Sequence, residues 1–354
     1  MSFKRRLLKS IKFRTRYFLF SKNGLPSTSF PSLIFETLIK FLNGRLSKTK
    51  GVSLSVSLKP LEEFETYVNA DFAIVLHGKI LDEDFLVRNV GQLRKMCPKS
   101  PIILSTYVGG ISPDTSAACD AEGVFITLLD EPPQLPPPYA ANLARAVAST
   151  FNGLTAAYNI GAKTAMKLRV DQEITRTQGL KVVDQLLAGK ILPSRETGRI
   201  VGTSYNSYKQ IPLFLSDMLH IGSVSDLMMY WKPFNTVDID HLTDAIFADA
   251  DEFLSGWKAV PEVWLAARYM HSLGNKVVDA ANANLEFWSN HAAVIDSTSL
   301  GQNWLKSIDC LDSNYTSIKW FEESFHKQYL ELHFFDWLVL VLESRSENYP
   351  VSDS

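Results

Sequence analysis

The chain has 354 residues, with 36 Lys and Arg against 38 Asp and Glu, a formal net charge of -2, and 46% hydrophobic residues. These ordinary proportions exclude a mostly disordered or fibrous chain, and the length suits one elaborated α/β domain or two smaller ones. Near-neutral charge speaks against nucleic acid as a partner, and three scattered cysteines (Cys97, Cys119, Cys310) exclude a disulfide framework and suit a reducing, cytoplasmic compartment.

The charge is uneven along the chain. Residues 1–22 carry Lys4, Arg5, Arg6, Lys9, Lys12, Arg14, Arg16 and Lys22 with no acidic residue, and Leu7, Ile11 and Phe18 among them share one side of a helix. Such a segment suits an anionic membrane surface, where each cation adds about 1 kcal/mol of attraction. A plain basic tail that aids solubility is the equal alternative. The cations recur throughout, so no secretory h-region forms, and no apolar run reaches the roughly 18 residues that a membrane span needs. The expected location is cytoplasmic, and peripheral on the inner face of the cytoplasmic membrane if the basic segment makes that contact. Residues 1–60 are read as this basic amphipathic segment and a connector, with a short helix at 35–42.

From Asp71 the pattern becomes regular. Residues 72–77 (FAIVLH), 101–107 (PIILSTY), 124–129 (VFITLL) and 165–170 (AMKLRV) read as buried strands. Between and after them, 84–96, 140–158 and 178–187 read as helices, with Gly153 the weak point of the second. Further strands are expected at 200–204 and 214–219. Strands alternating with helices predict an open, mostly parallel sheet covered on both faces. After Gly222 helical patterns dominate, at 225–230, 241–254, 261–273 and 318–343. The predicted division is 1–60, an α/β nucleotide-sugar-binding region at 61–235, and a helical C-terminal part at 236–354 that completes the acceptor side.

Ligands of a parallel α/β sheet lie outside the carboxyl ends of its strands. Those ends carry His77 and Gly78, Ser105 and Thr106, Asp130 and Glu131, and the run Lys167-Leu168-Arg169-Val170-Asp171-Gln172-Glu173. Lys167, Arg169 and Asp171 alternate, so on an extended strand they point one way. A buried strand with that face calls for an anionic or metal-bound ligand to offset desolvation. Asp171 with Glu173 could hold a divalent cation, Mn²⁺ or Mg²⁺, and through it a diphosphate. The plainer alternative is that Arg169 and Asp171 pair with side chains elsewhere. Further on, Asp217 and His220 lie near the end of a strand-like run, and Glu262 follows Pro261 at a helix start, where the dipole favours a carboxylate. Each of the three could serve as a general base.

No G-x-G-x-x-G follows the first strand, and no P-loop, G-x-S-x-G, H-E-x-x-H or paired C-x-x-C occurs. Taken in order, FAIVLHGKI, PIILSTY, LLDEPP, the helix with Asn142 and Arg145 ending in FNGL, MKLRVD, FLSDMLHIGSVSDL and PEVW resemble the WavE family of lipopolysaccharide-synthesis glycosyltransferases over about residues 70–275. The resemblance implies a GT-A-like, Rossmann-like nucleotide-diphospho-sugar transferase fold. It also implies a donor site at the first strand ends and a DxD-like acidic site near Asp171. The strict Asp-x-Asp is absent here; Asp171-Gln172-Glu173 stands in its place, and Lys167 with Arg169 could neutralise the diphosphate instead. On this view His77, Gly78, Ser105 and Thr106 receive the base, while Asn142, Arg145, Lys167 and Arg169 complete the donor site. The acceptor is a glycan or lipid-linked glycan of the cell surface. Two other functions fit the same strings: a non-catalytic sugar-nucleotide or glycan-binding module, and a nucleotidyltransferase releasing pyrophosphate.

Overall fold

A computed structural model describes residues 66–140, 142–191, 198–305 and 330–347. The chain divides into units at 1–63 and 64–354, and every described residue belongs to the second. The basic segment at 1–22, the connector with its helix at 35–42, and residues 318–329 of the last expected helix lie outside the described residues.

Uninterrupted apolar runs build the sheet. Strands β1 (Phe72–His77) and β2 (Ile102–Tyr107) are buried at every position, as strands covered on both faces must be. With β3 (Val124–Leu129), β4 (Thr164–Arg169), β6 (Ile200–Thr203), β7 (Leu219–Ser223) and β8 (Ala292–Ile295) they form a seven-stranded sheet in the order β3-β2-β1-β4-β7-β6-β8. Its strand β7 pairs antiparallel with both β4 and β6, and every other pairing is parallel. Two short strands, β5 (Gln172–Glu173) and β9 (Asn303–Trp304), pair antiparallel beside the end of β4.

Helices α1 (Glu83–Met96), α2 (Pro113–Ala121), α3 (Leu143–Asn159) and α4 (Gln178–Leu187) connect the strands. The start of α1 is set by Asp82, whose carboxylate accepts from the Phe85 N–H at 2.8 Å, and its ends carry charges that suit the helix dipole. Gly153 turns from a weak point into a contact point. A Cβ there would lie 2.4 Å from Val75 Cγ1 and 3.1 Å from Ser105 Cβ, so glycine lets α3 approach β1 and β2 closely.

Three expectations are corrected. The strand expected at 214–219 lies later, at Leu219–Ser223; Phe214 and Leu215 are buried from an irregular segment, where Leu215 fills the space that Gly202 leaves open. Apolar residues packed in a loop mimic a strand in the sequence. The part after Gly222 is also not purely helical. It contains α5 (Val224–Tyr230), α6 (Ile239–Ile246), α7 (Glu252–Ser255), α8 (Pro261–Ser272) and α9 (Ala280–Glu286), then a π turn at Phe287–His291 leading into β8, which joins the main sheet beside β6. The single helix expected at 241–254 is two, because Asp251 caps a new start by accepting from the Leu254 N–H at 2.7 Å. Helices α10 (Ser297–Leu300) and α11 (Phe334–Glu347) follow. The fold is a mixed, mostly parallel α/β sheet with a helical C-terminal region.

Candidate functional site

The order β3-β2-β1-β4 places β1 beside β4, the point where chain winding reverses and the crevice of an open α/β sheet opens. In register, His77 pairs with Ser105 on one side and Arg169 on the other, and Lys167 pairs with His220. Directly paired residues project to the same face. His77, Ser105, Lys167, Arg169 and His220 therefore form one polar layer on one side of the sheet, with α3 packed over β1 and β2.

Polar side chains of α3 satisfy part of that layer. Asn152 donates to Ser105 Oγ at 3.2 Å and to Thr127 Oγ1 at 2.9 Å. His77 Nδ1 lies 3.1 Å from both Ser149 Oγ and Thr150 Oγ1, while its buried Nε2 has no hydrogen-bond partner among the described residues. Thr106 lies on the opposite face and donates to the Gly78 carbonyl at 2.9 Å. Gly78 leaves β1 at φ +109°, a conformation that suits glycine, with its N–H on the Ser105 carbonyl.

Lys167 is fully buried; its ammonium donates to the Asp217 carbonyl and lies 4.3 Å from the centre of the Trp231 ring. Burial pulls its pKa down to about 7, against the pull of the Asp217 carboxylate. The same burial, reinforced by the Lys167 charge, holds His77 and His220 neutral. His220 Nδ1 accepts the Trp231 indole N–H at 3.1 Å, so its own proton belongs on Nε2. That leaves His220 no spare lone pair with which to take a proton from a substrate. Tyr230 packs edge-on against His220, with ring centroids 5.1 Å apart, and its buried hydroxyl has no partner among the described residues.

At the end of β4, Arg169 turns onto Asp171. Nε and Nη2 donate to the two carboxylate oxygens, each at 2.9 Å, and Trp304 Nε1 donates to Oδ2 at 3.1 Å. Burial opposes the arginine's charge, but the Asp171 carboxylate outweighs it and moves the guanidinium pKa upward. Glu173 accepts from Asn303 Nδ2 at 2.9 Å. Both Asp171 oxygens thus serve N–H donors, and among the described residues no three His, Cys, Asp or Glu side chains gather as a cation would require. The arrangement does not fit a divalent ion on Asp171 and Glu173.

Glu262 lies half-buried in the first turn of α8. Burial first, and then the Asp217 charge, push its carboxyl well above the usual carboxylate range, while Lys167 and Arg169 pull the other way. Asp217 itself is half-buried in the irregular segment before β7. Two carboxylates and two cations from β4, the loop before β7 and α8 therefore act on one another.

The rim is formed by the start of α3. Arg145 pairs with Glu131 at 2.7 Å, and its carbonyl accepts the Tyr107 hydroxyl at 2.9 Å; exposed Asn142 stands at the head of the helix and makes no side-chain cap. The fold thus gathers His77, Ser105, Lys167, Arg169, Asp171, Asp217, His220 and Glu262, places Gly78, Thr106, Asn142 and Arg145 around the strand ends, and turns Glu173 toward Asn303. Sequence reasoning missed Tyr230, Trp231 and Trp304. The adjacent aromatics closing α5 were a readable signal for the first two. Trp304 had none, since it arrives from 133 positions beyond Asp171.

The profile of the WavE lipopolysaccharide synthesis family matches residues 78–341, most of the chain and further than the strings at 70–275 reach. The chain belongs to the WavE family. Membership supports a general sugar-transfer role in lipopolysaccharide synthesis. No curated protein gives a significant match. Among solved structures, a cytidylyltransferase from Leptospira borgpetersenii serovar Hardjo-bovis (strain JB197) is similar at 13% identity and a TM-score of 0.29, over 51% of this chain and 71% of that chain. Among the described residues no helix of this WavE protein is long and apolar enough to cross a membrane.

Proposed function

We propose that this protein is a GT-A-type glycosyltransferase that moves a sugar from a nucleotide-diphospho-sugar to a lipopolysaccharide-core or other surface-polysaccharide acceptor. One observation carries the reading: Glu262, with its proton affinity raised, feels the charges of Asp217, Lys167 and Arg169, the last two of which lie on β4 beside the switch point of the sheet. A carboxyl that titrates closer to neutrality than usual suits proton transfer at physiological pH. The donor lies across the carboxyl ends of β1, β2 and β4, with its base toward His77, Gly78, Ser105 and Thr106. Its diphosphate faces Arg169, and Asn142 and Arg145 close the donor site from the rim. Lys167 adds its field from behind, without contact. The acceptor hydroxyl gives its proton to Glu262 as its oxygen bonds to the anomeric carbon. The bond from that carbon to the diphosphate breaks, and its electron pair leaves with the nucleoside diphosphate. Asp217 raises the affinity of Glu262 for the proton it receives. A divalent ion would aid the same leaving group by charge, but Asp171 and Glu173 as arranged do not supply its ligands. An acceptor held in a membrane would give the basic residues 1–22 their use, and deleting them should then release the protein from anionic vesicles.

The test is a panel of nucleotide sugars, assayed for nucleoside diphosphate release with and without a lipopolysaccharide-core acceptor. Release that depends on Glu262 supports the reading. Pyrophosphate released from a nucleoside triphosphate would replace it with nucleotidyl transfer. The Arg169 fork, held by Asp171, equally supports a second reading as a sugar-nucleotide-binding module, which donor binding without turnover would establish.

A further inference from the structure

The acidic end of β4 is built as a holder for an arginine. Of the five N–H donors of a guanidinium, Arg169 uses Nε and Nη2 on Asp171, and Nη1 has no hydrogen bond among the described residues. The Arg169 side chain keeps 21% of its surface exposed while Asp171 keeps 4%, so the arginine retains solvent access that its partner carboxylate lacks. Trp304 fixes the pair from a third direction. Its indole N–H holds Asp171 Oδ2, and its ring centre lies 5.8 Å from the guanidinium carbon. Trp304 is itself held by the β5–β9 pairing, Gln172 with Trp304, and by the Leu305 N–H on the Asp171 carbonyl at 2.9 Å. Beside Arg169 in register stands His77, whose buried Nε2 lacks a partner among the described residues. Buried polar atoms of that kind ordinarily find a partner, and its lack marks a place where a ligand atom or a water belongs.

We propose that Arg169 binds a donor phosphate oxygen directly, and that Asp171 and Trp304 are positioning residues for its guanidinium where a metal-dependent site would have cation ligands. This rests on the glycosyltransferase reading and specifies how its donor is held. The planar fork presents its outward edge to an anion because its inner edge is pinned to a carboxylate, the geometry in which arginine recognises phosphate best. The chemical class of ligand is a diphosphate ester, and its binding requires no divalent ion.

The probes are UDP, GDP, CDP and inorganic pyrophosphate, titrated calorimetrically into the full chain in EDTA and again in Mn²⁺. The proposal expects at least one nucleoside diphosphate to bind in EDTA, with affinity changed less than about threefold by Mn²⁺. R169Q should bind it roughly ten- to a hundredfold more weakly, the size of a lost charge-assisted hydrogen bond. R169K should recover part of the loss. Because removing the arginine strands a buried carboxylate, R169Q/D171N is the control for folding, followed by thermal melting. W304F keeps an aromatic ring and removes the indole donor; with Asp171 left intact it should weaken nucleotide binding by about threefold, and equally in both buffers. Binding that disappears in EDTA, returns with Mn²⁺ and is insensitive to Mn²⁺ in D171N would overturn the proposal and leave the enzyme reading standing. Unchanged affinity in R169Q would do the same. No binding in either buffer, with no transfer from any donor, would overturn both.

Discussion

From β1 to β4 (residues 72–169) a helix separates each strand from the next, the strands run parallel, and every neighbouring pair except β1 and β4 is consecutive in sequence. From β6 to β8 (residues 200–295) the sheet takes one antiparallel strand, passes over the five helices α5 to α9, and ends on a strand delivered by a π turn. The regular half supplies the donor-side candidates His77, Lys167 and Arg169; the irregular half supplies the candidates Asp217, His220 and Glu262. Regular crossovers leave polar side chains at strand ends in a repeating way. A proton-transferring carboxyl needs an individual environment, which a loop and a helix start can provide without disturbing the ladder.

Glu262→Gln should separate the halves most sharply. Transfer should fall by about 10²- to 10⁴-fold, the span of general acid–base catalysis, with donor affinity kept. The same change should stabilise the fold. A folded pKa above the ordinary value makes stability fall as pH rises from about 4.5 toward the raised pKa, and glutamine removes that loss. Lost donor affinity in calorimetry would place Glu262 on the binding side and erase the division. Gly153→Ala tests the regular half. Its methyl would press on Val75 and Ser105, so unfolding should be easier by about 1–3 kcal/mol in urea titration. Lys167→Met tests the buried seam between the halves. Burial lowers the lysine from 10.5 to about 7, so across that window the unfolded chain holds a proton that the folded chain lacks, and stability rises with pH by up to about 1.4 kcal/mol per unit. Melting curves of the methionine variant between pH 7 and 9 should lack that slope, and a shared slope would place the lysine charge elsewhere. Asp82→Ala removes the cap of α1 and should cost about 1 kcal/mol, with transfer unchanged.

Much of the binding half was readable because its signals are local. FAIVLH, PIILSTY and the run through Arg169 each report burial within six or seven residues, and polar residues at their ends mark the crevice. The trio at β4 was read as facing one ligand, yet Lys167 bonds the Asp217 backbone and Arg169 closes on Asp171. Alternation told which way the side chains leave the strand. It could not tell what meets them there.

Periodicity, helix-start chemistry and the order of strands with helices were enough for the α/β class, the first four strands and the family likeness, because each depends on residues a few positions apart. The antiparallel course of β7, the arrival of β8, the nearness of Glu262 to Asp217 and the hold of Trp304 on Asp171 came from packing. Those contacts join segments separated by tens to more than a hundred residues, and their partners are chosen by shape and desolvation that no short window contains.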